Sequence, residues 1–134
     1  MSKIVFYALS QKFLEREEDM PAQAKQVMYY TLAVGHHIGV IDCLKTVLEC
    51  PLEGFSNWIG LLPEGEARRK LEGVLRFGEI SIDSSHIRML GAALDGLRAT
   101  LAPEALVWQD TLMQAMAAIE AEPAMYLMVR RRDD

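Results

Sequence analysis

The chain has 134 residues, enough for one ordinary domain around one hydrophobic core and short for two. It is 51% hydrophobic and 25% charged with five prolines, a globular composition that excludes a disordered tail or low-complexity polymer. A net charge of -5 opposes nucleic-acid binding, which needs a basic face to displace counterions.

The first predicted element is a strand over Ile4–Leu9, an apolar run too short, and without the small-residue site, for a secretory signal; a cytoplasmic location is expected. A charged connection, including Glu15 and Asp19, leads to Pro21. No stretch reaches the roughly 18 apolar residues of a membrane span, and Val27–Val40, the most apolar segment, contains His36 and His37. Membrane insertion is not expected. Two cysteines, Cys43 and Cys50, are too few for a disulfide framework and suit a reducing compartment.

The spacing predicts one long buried helix near residues 22–49. Val27, Tyr30, Val34, His37, Ile41, Leu44 and Leu48 recur three and four apart, and Tyr29, Leu32, His36, Val40, Cys43, Val47 and Cys50 run beside them. Gly35 and Gly39, each costing about 1 kcal/mol in a helix interior, mark the place where a break would fall. Met28, with Ala24, Thr31, Gly35 and Ile38, lies on a further stripe that turns polar at Asp42, Lys45 and Glu49 and needs a cover. Another helix of the chain or a partner would supply it.

Leu52, Phe55, Ile59 and Leu62 predict a short helix ending at Pro63. Ala67, Leu71, Val74 and Leu75 predict another, supported by Glu64/Arg68 and Glu66/Lys70 four apart and closed by Gly78. Ile80 and Ile82 alternate with polar residues as a half-buried strand. Asp83, Ser84 and Ser85 then offer caps for a helix striped by Ile87, Leu90, Leu94, Leu97 and Leu101. Pro103 begins a helix whose core side is expected to carry Ala105, Trp108, Leu112, Ala115 and Ile119. Ala124–Val129, apolar on both alternating faces, predicts a central strand, with Arg130–Asp134 emerging into water. The expected fold is a single α+β domain with a small, mainly three-stranded sheet against about five helices.

Chemistry is hard to assemble from this pattern. On an unbroken helix His36, Cys43 and Cys50 stand seven residues apart, about 10.5 Å between neighbours, too far for one metal ion and beyond disulfide reach. Adjacent His36 and His37 point about 100° apart and do not chelate jointly, so packing roles are expected. Cys43 has no local base to activate it, and His86 falls at a predicted helix end. There is no phosphate loop, paired CxxC or nucleophile elbow. Arg130, Arg131 and Arg132 could fork onto a partner's carboxylates or form a solvated end.

Three blocks nonetheless form a recognisable set: QVMYYTLAVGHHIGVIDCL at 26–44, EARRKLEGVLRFGEISID at 66–83 followed by His86, and YLMVRR at 126–131. With the N-terminal strand and QKF at 11–13, the chain resembles the formate hydrogenlyase maturation proteins, the HycH family, or their hydrogenase-4 relative. The resemblance implies an accessory protein that assists maturation of the large subunit of a nickel-iron hydrogenase by acting on its precursor, alongside other maturation factors. It implies no catalytic residue, metal or cofactor. Tyr29, Tyr30, His36, His37, Asp42, Arg68, Arg69, His86, Arg130 and Arg131 are the shared residues expected to bind the partner. The competing expectation is an enzyme or metal carrier acting on that precursor, which would require His36, His37, Asp42, Cys43 and His86 to converge.

Overall fold

A computed structural model describes residues 2–10 and 46–133. β1 (Lys3–Ser10) alternates so strictly that it sorts the whole sheet: Ile4 and Phe6 point to one face, Val5, Tyr7 and Leu9 to the other. It pairs antiparallel with β4 (Met125–Arg132) along its full length, Phe6 opposite Val129 and Ala8 opposite Leu127. On its other side it pairs with β2 (Thr46–Pro51), Ile4 opposite Cys50 and Phe6 opposite Leu48. The short β3 (Glu79–Ile82) lines the far side of β4. The order is β2-β1-β4-β3, antiparallel throughout, with the two most apolar strands in the middle.

Four α-helices complete the described fold: α1 (Leu52–Gly60), α2 (Glu66–Phe77), α3 (Ile87–Asp95) and α4 (Pro103–Ala121), with 3-10 turns at Ser84–His86 and Arg98–Thr100. Their apolar stripes meet Ile4, Phe6, Leu48, Cys50, Ile82, Leu127 and Val129 in one core. Phe55 packs on Phe6 with ring centroids 6.2 Å apart and meets Trp58 edge-on at 5.9 Å, so α1 rests on the β1 face through aromatic contacts. Val5, Tyr7, Leu9 and Met128, on the opposite face, are buried as well, and Arg132 donates to the Tyr7 hydroxyl at 2.9 Å.

The α+β class stands, but the described residues hold four strands and four α-helices, not three strands and about five helices. The added strand is β2. Leu44, Leu48, Val47 and Cys50 had fitted the period of the expected long helix, yet Thr46–Pro51 is extended, with Leu48 and Cys50 inward and Glu49 outward. Only pairing with β1 distinguishes the two patterns. The remainder of that helix, residues 22–45, lies outside the described residues, and Cys50, being in a strand, is not held at helical spacing from Cys43. The helix expected to run to Leu101 stops at Asp95 and resumes as a 3-10 turn. On α4, Leu112 and Ile119 are buried as expected, but Gln109 and Met116 complete the core side, while Ala105, Trp108 and Ala115 are half-buried.

Candidate functional site

Helix α2 follows from its sequence with little ambiguity. Ala67, Leu71 and Val74 form its buried stripe, and Gly78 ends it with φ of 86°, a left-handed cap in which the Gly78 amide bonds Val74 O at 2.9 Å. That cap turns the chain straight into β3, folding β3 back along the helix. Contact between them is close: a Cβ on Gly73 would stand 2.9 Å from Ile80 Cγ2.

The turn also fixes where the arginine block sits. The Arg131 amide donates to Gly78 O at 2.9 Å, and Arg130 stands opposite Glu79 in the ladder. Arg130, Arg131 and Arg132 are therefore part of β4, not a solvated end beyond it. Arg131 is tied by its Nε to Asp133 at 3.0 Å, and Asp133 also accepts from the Ser2 hydroxyl at 2.7 Å. The Ser2 hydroxyl, then Arg131, hold the Asp133 carboxyl below its usual range. The block at 66–83 and the block at 126–131 thus meet at one corner: the end of α2, Gly78, β3 and the end of β4.

Within that corner the predicted arginines divide. Arg68 is used locally, donating to Leu62 O at 3.1 Å and lying 3.4 Å from Glu72. Arg69 is exposed and has no ion-pair partner among the described residues, as is Arg76 seven residues later on the same side. Arg76 lies 6.0 Å from the centre of the Phe77 ring, which is 76% exposed. Arg76 and Phe77 were not singled out from the sequence. The available signal was that Phe77 stands off the Ala67, Leu71, Val74 stripe, just before the closing glycine.

His86 lies elsewhere, in a cap. Its Nδ1 is 3.1 Å from the Asp83 amide and 3.2 Å from Asp83 Oδ1. The imidazole thus closes the turn by reaching back to the Asp83 backbone, as a capping side chain does. Asp83 Oδ1 accepts from the Ser85 amide at 2.9 Å and from the Ser85 hydroxyl; the hydroxyl bond is the chief cause lowering the Asp83 pKa. Cys50 is free and buried, and burial, with Glu49 adding, pushes its thiol up to about 12. A thiol so far from ionising is a poor nucleophile. Among the described residues no group of three or more His, Cys, Asp or Glu is placed to hold a metal ion. Tyr29, Tyr30, His36, His37, Asp42 and Cys43 lie outside the described residues.

The family model described as formate hydrogenlyase maturation protein HycH matches residues 3–131. The chain belongs to that family. It is 48% identical over 133 residues to the formate hydrogenlyase maturation protein HycH of Escherichia coli K12, covering 98% of each chain. The same identity and coverage hold for the HycH protein of Escherichia coli O157:H7. Hydrogenase-4 component J of Escherichia coli K12 is 46% identical, over 96% of this chain and 94% of its own. No solved structure matches the chain significantly. Among the described residues no helix is long and apolar enough to cross a membrane.

Proposed function

We propose that this HycH-family chain is a cytoplasmic accessory protein that binds the large-subunit precursor of a nickel-iron hydrogenase of the formate hydrogenlyase type and holds it for maturation and assembly. Membership of a maturation family across residues 3–131 carries the reading. The chemistry of the described residues favours binding over catalysis. His86 is committed to a cap, Cys50 to the core and Arg68 to a carbonyl and Glu72, whereas Arg69, Arg76 and Phe77 face outward. A binding module needs an accessible surface and no activated group.

The test is capture. An affinity-tagged chain expressed in cells producing formate hydrogenlyase is expected to bring down the large subunit, with the unprocessed form enriched when nickel is withheld. Recovery of other hydrogenase subunits without the large subunit would overturn the reading.

A further inference from the structure

Strand β3 lies at the edge of the sheet and pairs only with β4 among the described residues. Because Gly78 O faces β4 and backbone groups alternate along an antiparallel strand, Ile80 and Ile82 also turn their amides and carbonyls towards β4. Those of Glu79 and Ser81 point away from the sheet. Exposed edges are normally shortened, covered or charged to prevent stray pairing. β3 is short, but its flank is not simply repellent.

Beside this edge the side chains form a coherent surface. The Phe77 ring reaches over Gly73, its Cδ2 3.8 Å from where a Cβ would stand, and Ile80 Cγ2 lies 2.9 Å from the same point. Phe77 and the half-buried Ile80 thus make an apolar strip along the edge. Arg69 and Arg76 border it on the outer side of α2, and Lys70 lies near Asp83 at the other end of β3. Helix α2 carries four basic residues, Arg68, Arg69, Lys70 and Arg76, against Glu66 and Glu72, and Glu72 is already paired with Arg68. In a chain of net charge -5 this helix is net positive, and Glu79 on β3 itself stands opposite Arg130 in the ladder.

We infer that the outer edge of β3, flanked by Phe77, Arg69 and Arg76, is the docking site for an extended acidic segment of the partner protein, which adds to the sheet as a fifth strand. Outward backbone groups of Glu79 and Ser81 supply sequence-independent hydrogen bonds. Alternate side chains of the added strand fall on the Phe77 and Ile80 strip, selecting an apolar residue, and its carboxylates meet the guanidinium forks. The inference rests on the proposed function for the identity of the partner, the large-subunit precursor, and assigns the surface that binds it.

The experiment uses the full chain and purified large-subunit precursor. Amide exchange followed by NMR is expected to show the Glu79 and Ser81 amides protected when precursor is added. Three variants then measure the contributions. Ser81→Pro removes an outward amide without touching the pairing with β4, Phe77→Ser removes the apolar contact, and the double change Arg69→Glu/Arg76→Glu reverses the charge. Each is expected to weaken precursor binding at least about tenfold, the loss typical of a central interface side chain, with an unchanged melting temperature. Should Ser81→Pro fail to fold, the Phe77 and arginine variants decide. Binding of the wild-type chain with equal affinity in folded variants overturns the surface and leaves the proposed function standing. No binding by the wild-type chain overturns the proposed function itself. Protection at Glu79 and Ser81 that grows with the concentration of the chain alone assigns the edge to a second copy and also overturns the inference.

Discussion

The side-chain amide of Gln109 joins three helices. Its Oε1 accepts from Trp58 Nε1 of α1 at 3.2 Å, and its Nε2 donates to Leu94 O of α3 at 2.7 Å. At 1% exposure it is the buried polar residue of the described core. Leu94 O also receives the Leu97 amide, so only the indole N–H would lose its sole partner on substitution. Gln109→Leu should therefore destabilise the fold by about 1–3 kcal/mol, read as a lower denaturation midpoint; an unchanged midpoint would deny the bridge any role. Sequence reasoning missed it because a glutamine with Leu112, Met116 and Ile119 at three and four spacing looks like the polar border of a stripe. Its partners lie 51 and 15 residues away. Cys50 carries a second prediction. Its folded pKa is raised from 9.0 to about 12, so the fold favours the neutral thiol. That contribution is complete below about pH 9 and is lost as the pH rises towards 12. At pH 8 the native chain should leave Cys50 unmodified by iodoacetamide while the denatured chain reacts; equal rates would contradict its burial.

At the scale of the element, legibility followed how local the deciding forces are. α2, α4 and β3 could be read because caps, prolines and period supplied independent signals: Gly78 at the end of α2, Pro103 at the start of α4, and Ile80 and Ile82 alternating with Glu79 and Ser81. β2 could not, since Val47, Leu48 and Cys50 suit a helix stripe until Ile4 and Phe6 lie opposite. The extent of β4 was also hidden, because three arginines resemble a strand's exit and only the partners Lys3, Ile4 and Val5 reveal that it continues. Gly78 is the element-scale position most open to test. Its φ of 86° is one that a Cβ resists, and nothing lies within 4 Å of an added Cβ, so the cost is conformational. Gly78→Ala should lower stability by about 1–2 kcal/mol while keeping the fold by circular dichroism. A loss near zero would show that the turn between α2 and β3 tolerates another conformation.

For the molecule as a whole, the α+β class and the central place of the last strand were visible in the pattern of apolar residues, whereas strand order was not. Two central strands far apart in sequence, β1 and β4, carry the sheet, and the helical layer closes on Ile4, Phe6, Leu127 and Val129. The candidate site was half legible. Its blocks at 66–83 and 126–131 were recognised separately, but their junction at Gly78 and Arg131 is a product of the sheet. Its most exposed apolar member, Phe77, belongs to no periodic stripe. In the function proposed above, this chain binds its partner and changes nothing covalent in it. The most direct measurement mixes purified chain and large-subunit precursor in equal amounts and follows them by native and denaturing mass spectrometry. The expected result is a stable complex of defined stoichiometry in which the precursor's mass is unchanged. A precursor shortened or modified by substoichiometric amounts of the chain, with no complex accumulating, would contradict it.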